Sequence, residues 1–541
     1  MPPVRDNYAQ GWGRTEVSRS VAIFLSLAFA CGLLIVPLAD GLLGAWRDPR
    51  QSAVSGFAGV VRAWQGESSL PQRLIAANRA ALQGMGNFET SLEDSSALVE
   101  AVRPATLDYL LRFGGAGSEE AYVGRDGWLF YRPDIDALLQ PSGGIETAAR
   151  GLAAFAADLA MKGVRLVFVP TPGKASIHPE QIARGTNADA MMPAGWDEFA
   201  ALLAAAWSEE ALARGLPEQP APVVIDPSKA LREQALSSGQ PQYLASDSHW
   251  SPAGMELVAA AIAGELGSAA TSGAPAATDE IDAVGDTARM LQLPDVSPIL
   301  RKQRVLTAPV KDWVPDRGSP ILLLGDSYTN IYSSEDLGWG TQAGLAERVS
   351  HRLGAPVDRL SRNDAGALEA RRMLAAEATR DPAWLEGKDV LVWQLSLREV
   401  VRGDWTPVEL AGADVGKTGS FLIVPPGEPR EVIATVAALG RVPKPGTTPY
   451  RDYLTAVHLS DLQDADGKNL DGDALAYVFT MRDNQLLPAA DLQPGARARV
   501  RLVNYDEQAA QLDPLNRGEL DDLDLMLETP NFAEWISPAS P

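Results

Sequence analysis

Two short stretches of the chain carry residue types that could perform nucleophilic catalysis. The first is SDSHW, where His249, one of only 4 histidines in 541 residues, stands two positions after Asp247. Residues two apart in an extended stretch point the same way, so the carboxylate can orient the imidazole and stabilise its protonated form. A lone histidine ordinarily serves packing, and we assign that role to His178, His351 and His458.

The second stretch is ILLLGDSYTN, which places Ser327 after four apolar residues and a Gly-Asp turn. A serine at such a strand-to-helix junction has an exposed hydroxyl and a backbone N–H that is free to meet a developing oxyanion. The alternative is that Asp326 and Ser327 only cap a helix. The Asp-x-His pair favours the nucleophile, with His249 as its base.

Apolar runs and helical segments alternate through the central part of the chain. Four nearly continuous apolar runs predict strands that are buried on both faces, at residues 164–172, 221–226, 320–327 and 389–396. Helices are predicted between them, at residues 146–161, 196–213, 253–266 and 343–353. This alternation predicts an α/β domain with a mainly parallel sheet flanked by helices. Sites in such sheets form at the carboxyl ends of the strands.

The N-terminal region contains an uncharged run, residues 21–39, that is long enough to cross a bilayer as a helix. We predict an uncleaved transmembrane anchor. The alternative is a cleaved signal peptide, because residues 28–30 have the small-x-small spacing before Cys31. The apolar run continues past Cys31, which favours the anchor. A small excess of arginine before the span favours a cytoplasmic N-terminus.

The composition excludes several classes of function. The net charge of −23 predicts a surface that repels phosphate backbones, so we exclude nucleic acid as a partner. Cys31 is the only cysteine, which excludes an intrachain disulfide and a CxxC metal site. The 46% share of hydrophobic residues is that of a globular protein, and 541 residues suggest two or three domains.

The C-terminal part, residues 415–541, has a different pattern. Strand-like runs separated by turn-rich pieces predict a small all-β domain, either an OB-like barrel or a sandwich. The carboxylate-rich segment 464–473, DADGKNLDGD, lacks the spacing and the closing glutamate of an EF-hand, so we interpret it as a solvated hairpin connection. We therefore predict no metal site, and nothing in the sequence indicates a cofactor.

Several motifs together resemble one family. GDSYTN resembles the serine block of SGNH (GDSL-type) hydrolases, and SDSHW is similar to their acid-histidine block, although here it precedes the serine. This permuted order, with VGRDGWLFY, VPTPGKASIHPE and GDTARMLQLP, resembles the alginate O-acetyltransferases of the AlgJ/AlgX type. The resemblance covers roughly residues 120–405. It implies an SGNH-like fold, a triad of Ser327, His249 and Asp247, and transfer of acetyl groups to polysaccharide hydroxyls in the periplasm.

The resemblance also suggests oxyanion and substrate residues. SGNH enzymes add an asparagine and a glycine to the oxyanion hole; LSRNDAGA offers Asn363, and DLGWGT offers Gly338 or Gly340. The alternative for Asn363 is a turn residue. Tyr328 stands where the family commonly has an aromatic residue after the nucleophile, and Ser251 replaces the threonine that usually ends the family's D-x-H-W-T motif.

The predicted organisation has five parts. They are a cytoplasmic N-terminus, a transmembrane anchor, a helical stalk, an SGNH-like acetyltransferase domain and a β-rich accessory domain, at residues 1–20, 21–39, 40–119, 120–405 and 415–541. The family's location implies a single-pass inner-membrane protein with its catalytic domain in the periplasm. The expected partners are a polysaccharide acceptor, a membrane-bound O-acyltransferase as acetyl donor and other exopolysaccharide complex proteins. The alternatives are a carbohydrate acetyl esterase and a non-catalytic glycan-binding scaffold.

Overall fold

The structure, a computed structural model, describes residues 18–27, 29, 78, 85, 97–111, 118, 120–410 and 421–538, apart from 142, 188–190, 217, 269–277, 295–296, 444, 446–447, 449, 465, 521, 523–524 and 526–527. It divides into two compact units, Met1–Leu110 and Leu111–Pro541. The predicted α/β and β-rich domains both fall in the second unit, and the boundary between them stays a prediction.

The strands are β1 (Ala121–Val123), β2 (Leu129–Tyr131), β3 (Arg165–Thr171), β4 (Val223–Val224), β5 (Asp279–Ala283), β6 (Gln303–Thr307), β7 (Ile321–Gly325), β8 (Asp358–Ser361), β9 (Val390–Ser396), β10 (Arg430–Leu439), β11 (Tyr453–Gln463), β12 (Ala474–Arg482), β13 (Gln485–Leu486), β14 (Arg497–Asn504), β15 (Arg517–Gly518) and β16 (Asn531–Pro538).

The α-helices are α1 (Ala97–Tyr109), α2 (Arg132–Leu138), α3 (Gly143–Met161), α4 (Lys174–Ile177), α5 (Phe199–Ala213), α6 (Ser228–Ser238), α7 (Pro252–Glu265), α8 (Asp286–Met290), α9 (Ser327–Asn330), α10 (Leu345–Leu353), α11 (Ala367–Arg380), α12 (Pro382–Glu386), α13 (Leu397–Arg402) and α14 (Ala509–Leu512).

The first unit is described only in part. Residues 19–27 are helical, and α1 continues through Pro104. Among the described residues, no helix is both long and apolar enough to cross a membrane. Residues 28 and 30–39 of the predicted span lie outside the described residues, as does most of the predicted stalk. The anchor and the stalk therefore stay predictions.

A five-stranded parallel sheet forms the centre of the α/β part, in the order β4-β3-β9-β7-β8. Its register aligns the carboxyl ends of neighbouring strands, because Thr171 pairs with Ser396 and Gly325 pairs with Ser361. The prediction of a parallel sheet is confirmed, and the four strands β3, β4, β7 and β9 lie within the predicted apolar runs, whereas β8 lies outside them. Residues that follow β7 and β8 are thus brought to one edge.

Helices cover both faces of this sheet. Successive residues of β3 show the division, since Val167 and Phe168 belong to separate buried clusters on opposite faces. The Phe168 cluster includes residues of α3, α5 and α11, whereas the Val167 cluster includes residues of α7 and α10. Burial on both faces explains why these strands read as continuous apolar runs in the sequence.

The C-terminal strands close into a barrel. Pairing runs from β10 to β11, β12, β16, β14 and back to β10, and the β12–β16 pair is parallel whereas the others are antiparallel. A closed ladder of five strands is the arrangement of an OB-like Greek-key barrel, so the sandwich alternative is wrong. The segment 464–473 connects the antiparallel strands β11 and β12, as predicted for a hairpin connection.

Candidate active site

Ser327 is the first residue of α9, directly after the turn that ends β7. Asp326 caps this short helix, because its side chain accepts a hydrogen bond of 2.9 Å from the Tyr328 N–H. The other oxygen of Asp326 accepts the Ser396 N–H at 3.0 Å, which ties the turn to the carboxyl end of β9. The capping role predicted as the alternative is therefore real for Asp326, and it leaves the Ser327 hydroxyl free for another partner.

That partner is His249. The distance from Ser327 Oγ to His249 Nε2 is 2.8 Å, and the distance from His249 Nδ1 to Asp247 Oδ1 is 2.7 Å. All three residues are buried, and Ser327 is only 3% exposed. The structure thus brings the three residues predicted as a triad into one hydrogen-bonded chain. Ser251, two residues after His249, caps α7 and accepts the Gly254 N–H at 3.2 Å.

Every oxygen of Asp247 has defined partners. Oδ1 accepts from the His249 backbone N–H at 3.0 Å as well as from the ring. Oδ2 accepts from the Trp339 indole and from the Asp286 backbone N–H, both at 2.8 Å. Hydrogen bonds of this number stabilise the ionised carboxylate in a buried position and fix the orientation of the ring.

A second buried carboxylate, Asp286, lies beside the same ring. Its Oδ2 is 3.4 Å from His249 Nδ1 and accepts the Ser248 hydroxyl at 2.5 Å. Burial disfavours the charged imidazolium, but the hydrogen bonds and charges of Asp247 and Asp286 outweigh it and raise the pKa of His249 to about 10. The imidazolium that forms during a proton transfer is therefore strongly stabilised.

Asp247, His249 and Asp286 also meet the spacing of a metal site, since one ligand atom from each lies within 4.8 Å of the others. The hydrogen bonds already described account for this cluster without a metal, because backbone and indole N–H groups satisfy Asp247 Oδ2 and the Ser248 hydroxyl satisfies Asp286 Oδ2. The expectation that the chain has no metal site stays a prediction.

Asn363 follows β8 at the same sheet edge. The Ser361 hydroxyl donates to Asn330 Oδ1 at 2.7 Å, and Asn330 Nδ2 donates to Asn363 Oδ1 at 3.0 Å. This relay fixes which end of the Asn363 amide is the donor. Its Nδ2 is buried and has no hydrogen-bond partner within the described part of the chain. A buried donor without a partner is suited to an oxyanion.

Tyr328, Gly338 and Gly340, the other residues predicted for the oxyanion or substrate site, lie close to His249 and Asp247 in chain or in space. The Tyr328 ring packs against the His249 ring, with centroids 4.8 Å apart, and its hydroxyl donates to the Ser248 carbonyl at 3.1 Å. Gly338 and Gly340 flank Trp339 and have φ angles of 81° and 87°, which favour glycine. They give Trp339 the turn that brings its indole to Asp247. Their predicted oxyanion role stays a prediction.

A buried lysine joins two of the family-like motifs. Lys174 Nζ donates to the Leu129 carbonyl at 2.6 Å and to the Ala245 carbonyl at 3.1 Å. Burial lowers the pKa of Lys174 to about 8, against the opposing charges of Asp247 and Asp286. The lysine thus holds the chain two residues before Asp247, and it links the VGRDGWLFY and VPTPGKASIHPE segments to SDSHW.

Sequence reasoning assigned no role to Asp286, Trp339 or Lys174. Each lies inside one of the family-like motifs: Asp286 in GDTARMLQLP, Trp339 in DLGWGT and Lys174 in VPTPGKASIHPE. The available signal was a glycine next to each of these residues, but their partners are 37 to 92 positions away in sequence. Only the fold reveals such pairings.

A family model described as the SGNH hydrolase-like domain of the acetyltransferase AlgX matches residues 121–397, just over half of the chain. The chain belongs to this family. The predicted resemblance is confirmed, and the matched residues include both the acid-histidine motif and the serine motif.

Individual relatives are more distant. The probable alginate O-acetylase AlgJ of Pseudomonas aeruginosa is 32% identical over 163 residues, which are 30% of this chain and 36% of that protein. The chain therefore matches about a third of that relative's length. Among solved structures, the O-acetyltransferase domain of Pseudomonas putida AlgJ has a TM-score of 0.37 at 19% identity, covering 52% of this chain and 92% of the other. AlgX of Pseudomonas aeruginosa has a TM-score of 0.35 at 17% identity, covering 68% and 83%.

Proposed function

We propose that the protein is an O-acetyltransferase that moves acetyl groups to hydroxyls of an exopolysaccharide, alginate-like or other, through an acetyl-Ser327 intermediate. The observation that carries the proposal is the 2.8 Å contact between Ser327 Oγ and His249 Nε2, on a ring held by Asp247. Membership of the AlgX family and the name of the AlgJ relative support acetyl transfer as the reaction.

In the acylation step, Ser327 Oγ attacks the acetyl carbonyl carbon and gives its proton to His249 Nε2. The electron pair of the carbonyl moves to its oxygen, to which we assign the Ser327 backbone N–H and Asn363 Nδ2 as hydrogen-bond donors. Collapse of this intermediate breaks the bond to the donor oxygen, which takes the proton from His249. Asp247 orients the ring and stabilises its positive charge between these transfers.

In the transfer step, a sugar hydroxyl gives its proton to His249 Nε2 and attacks the acetyl-serine carbonyl. The C–O bond to Ser327 then breaks, and Oγ recovers its proton from His249. Water in place of the sugar would give an esterase, because only the acceptor differs. The family favours transfer over this alternative and over a glycan-binding scaffold without activity.

Location and partners are part of the proposal. We propose that residues 21–39 anchor the chain in the inner membrane with the catalytic part in the periplasm, where a membrane-bound O-acyltransferase supplies acetyl and other exopolysaccharide proteins assemble with it. The length and apolarity of the run support the anchor. A mature N-terminus at or near Cys31 would refute it.

Product analysis tests the reaction. The full-length chain is incubated with an activated acetyl ester and a panel of oligosaccharides, and the products are identified by mass spectrometry. Acetylated sugar is expected, with loss of several orders of magnitude in Ser327→Ala and His249→Ala because triad members act as a unit. Free acetate alone would indicate an esterase, and no turnover would indicate a scaffold. Near-normal rates in either variant would refute the assigned roles.

A further inference from the structure

The connection between α9 and α10 carries a buried carboxylate, Asp336, that accepts hydrogen bonds from the barrel part of the chain. Asp336 lies in the short 3-10 helix Glu335–Leu337 and is only 6% exposed. Its Oδ1 accepts the backbone N–H groups of Arg451 and Asp452, at 2.8 Å and 2.6 Å. These two residues directly precede β11, so two hydrogen bonds from the barrel converge on one oxygen of the α/β part.

The barrel holds the same two residues from the other side. Asp483 and Asn484 form the two-residue turn between β12 and β13, and their φ angles of 49° and 62° are those of a type I′ hairpin turn. The Asp483 N–H donates to Asp452 Oδ1 at 2.9 Å, and the Asn484 N–H donates to the Arg451 carbonyl at 2.9 Å. A tight hairpin therefore sets the position of the donors that reach Asp336.

Three residues after Asp336, the Trp339 indole reaches the triad. Its Nε1 donates to Asp247 Oδ2 at 2.8 Å, and the ring is fully buried. Between these two residues, the Leu337 carbonyl accepts a hydrogen bond of 3.3 Å from Arg289 Nη2, which ties the segment to α8 as well. The segment from Asp336 to Trp339 thus has one end on the barrel and the other on the carboxylate that orients the catalytic ring.

The position of Asp336 is unfavourable for a carboxylate, which argues for a role beyond stability. Its Oδ2 is buried and has no hydrogen-bond partner among the described residues. Burial raises the pKa of Asp336 to about 7, although the N–H groups of Arg451 and Asp452 stabilise the ionised form. A buried polar atom that is left unpaired lowers the stability of the fold, so its presence calls for a functional reason.

We propose that Asp336 is a positioning residue, which ties the barrel to the segment that places the Trp339 indole on Asp247. It acts through Trp339 and not on the reacting atoms. Without the indole donor, Asp247 orients the imidazole less strictly, and His249 Nε2 is less often aligned with Ser327 Oγ. The barrel thereby supports the triad through a continuous series of hydrogen bonds.

Asp336→Ala removes the acceptor, and Glu335→Ala is its matched control. Glu335 is the neighbouring carboxylate in the same 3-10 helix, and it is exposed. In the full-length chain with an activated acetyl ester, Asp336→Ala should lower kcat by roughly tenfold with little change in KM, because it disturbs the triad and not substrate binding. Glu335→Ala should stay near wild type. Asp336→Asn keeps an acceptor oxygen and should recover most of the lost kcat.

A double-mutant cycle tests the route through Trp339. Trp339→Phe removes the indole N–H and should lower kcat by roughly 10- to 100-fold. In this background, Asp336→Ala should lower kcat by less than about twofold further, since the contact that Asp336 supports is already absent. Losses that are additive in the double variant would overturn the route.

The inference rests on acetyl transfer by Ser327, so a second readout separates the two proposals. A sulfonyl fluoride forms a sulfonate ester with Ser327 Oγ and releases fluoride, while His249 takes the Oγ proton. The rate of this labelling, followed by mass spectrometry, reports the alignment of the triad without an acetyl group. Asp336→Ala and Trp339→Phe should both slow it, again without additivity.

Thermal unfolding shows whether each variant is folded. Wild-type kcat and labelling in folded Asp336→Ala would overturn the positioning role, and so would an equal loss in Glu335→Ala. If Asp336→Ala does not fold, Asp336→Leu, which has a similar shape and no acceptor, takes its place. Wild-type labelling in folded Trp339→Phe would overturn the role in either case. Absence of acetyl turnover in the wild type, with labelling that still depends on Asp336, would refute acetyl transfer and leave the positioning role in place.

Discussion

His249 lies between two buried carboxylates, whereas one is enough to orient a catalytic imidazole. Asp247 contacts Nδ1 at 2.7 Å, and Asp286 stands 3.4 Å from the same nitrogen. The second carboxylate also holds the Ser248 N–H at 2.7 Å, so it stabilises the backbone that carries the ring. Its charge has a further effect, which is to keep the ring protonated over a wider range of pH.

This arrangement determines the pH dependence of turnover. A general base must be neutral to accept the Ser327 proton, and its raised pKa means that the neutral form becomes abundant only as the pH rises through that value. We expect kcat/KM for an activated acetyl ester to increase from neutral to alkaline pH. Asp286→Asn removes one of the charges that raise the pKa, so it should move this increase to lower pH by about 1 pH unit or more.

A pH–rate profile of both enzymes checks this expectation. Asp282→Asn is the control, since Asp282 is a surface carboxylate paired with Arg304 and lies four residues from Asp286 in sequence. Its profile should match the wild type. An unchanged or more alkaline profile for Asp286→Asn would show that Asp286 does not set the pKa of His249.

At the residue scale, the sequence indicated the contacts that are local. Asp247 and His249 are two positions apart, so their shared orientation follows from extended backbone geometry. Asp286 is 38 positions after Ser248, so no spacing rule could place it.

The elements that carry the site meet with almost no space between their backbones. Gly285 precedes α8, and a Cβ at this position would overlap the Ser246 carbonyl and lie 2.6 Å from the Asp247 nitrogen. Its φ of −69° is ordinary, so the requirement for glycine is close approach and not backbone conformation. This approach permits the Asp286 N–H to reach Asp247 Oδ2.

Gly285→Ala should therefore separate α8 from the Asp247 loop. We expect a loss of about 1–3 kcal/mol in the free energy of unfolding, the usual cost of overpacking, and at least a tenfold loss of acetyl turnover. Denaturant unfolding and ester turnover measure the two effects. Gly264→Ala in α7 is the control, because its Cβ would meet open space, and it should leave turnover unchanged while gaining about 0.5–1 kcal/mol. Full activity of Gly285→Ala would contradict the close-packing argument.

At the element scale, the hydrophobic pattern predicted four of the five strands of the parallel sheet, but it missed the short polar strand β8 and the last strand of the barrel. The strands β3, β7 and β9 are buried on both faces and stand out as apolar runs. The last barrel strand, β16, contains Asn531, Glu534 and a proline, so it lacked a clear strand pattern. It is placed by pairing with β12 and β14, which are nonlocal in sequence.

At the scale of the whole molecule, two connections of the barrel, β10–β11 and β14–β16, contact segments of the catalytic edge. The contacts include the Arg362–Glu519 ion pair between side chains that are 5% and 15% exposed. Removal of one partner of such a buried ion pair is strongly destabilising, because it leaves the other charge buried and unpaired. The sequence pattern separated the two parts correctly as α/β and all-β, but it suggested an accessory role for a barrel whose Pro514 carbonyl accepts the Asn363 N–H at 3.0 Å.

The charge and the motifs of the whole chain also bear on which molecule donates the acetyl group. The net charge is −23, and the sequence contains neither a G-x-x-x-x-G-K loop nor a G-x-G-x-x-G loop to bind the phosphates of acetyl-CoA. A periplasmic enzyme would not meet that cytoplasmic donor, which is why we propose a membrane-bound O-acyltransferase as the supplier and the anchor as the means of keeping Ser327 near it.

The full-length chain in detergent micelles should accordingly use a small activated acetyl ester and not acetyl-CoA. Acetate and acetylated oligosaccharide are measured for both donors, with Ser327→Ala as the background for each. The small ester needs only the Ser327 pocket, whereas acetyl-CoA must bring several phosphate charges against a strongly acidic surface, which repels them at low salt. Turnover of acetyl-CoA should thus stay at the Ser327→Ala background at low salt. It should stay there at high salt as well, because screening removes the repulsion but the sequence still offers no phosphate-binding loop that would bind acetyl-CoA. Efficient Ser327-dependent turnover of acetyl-CoA would remove the need for a membrane relay and with it the proposed partner.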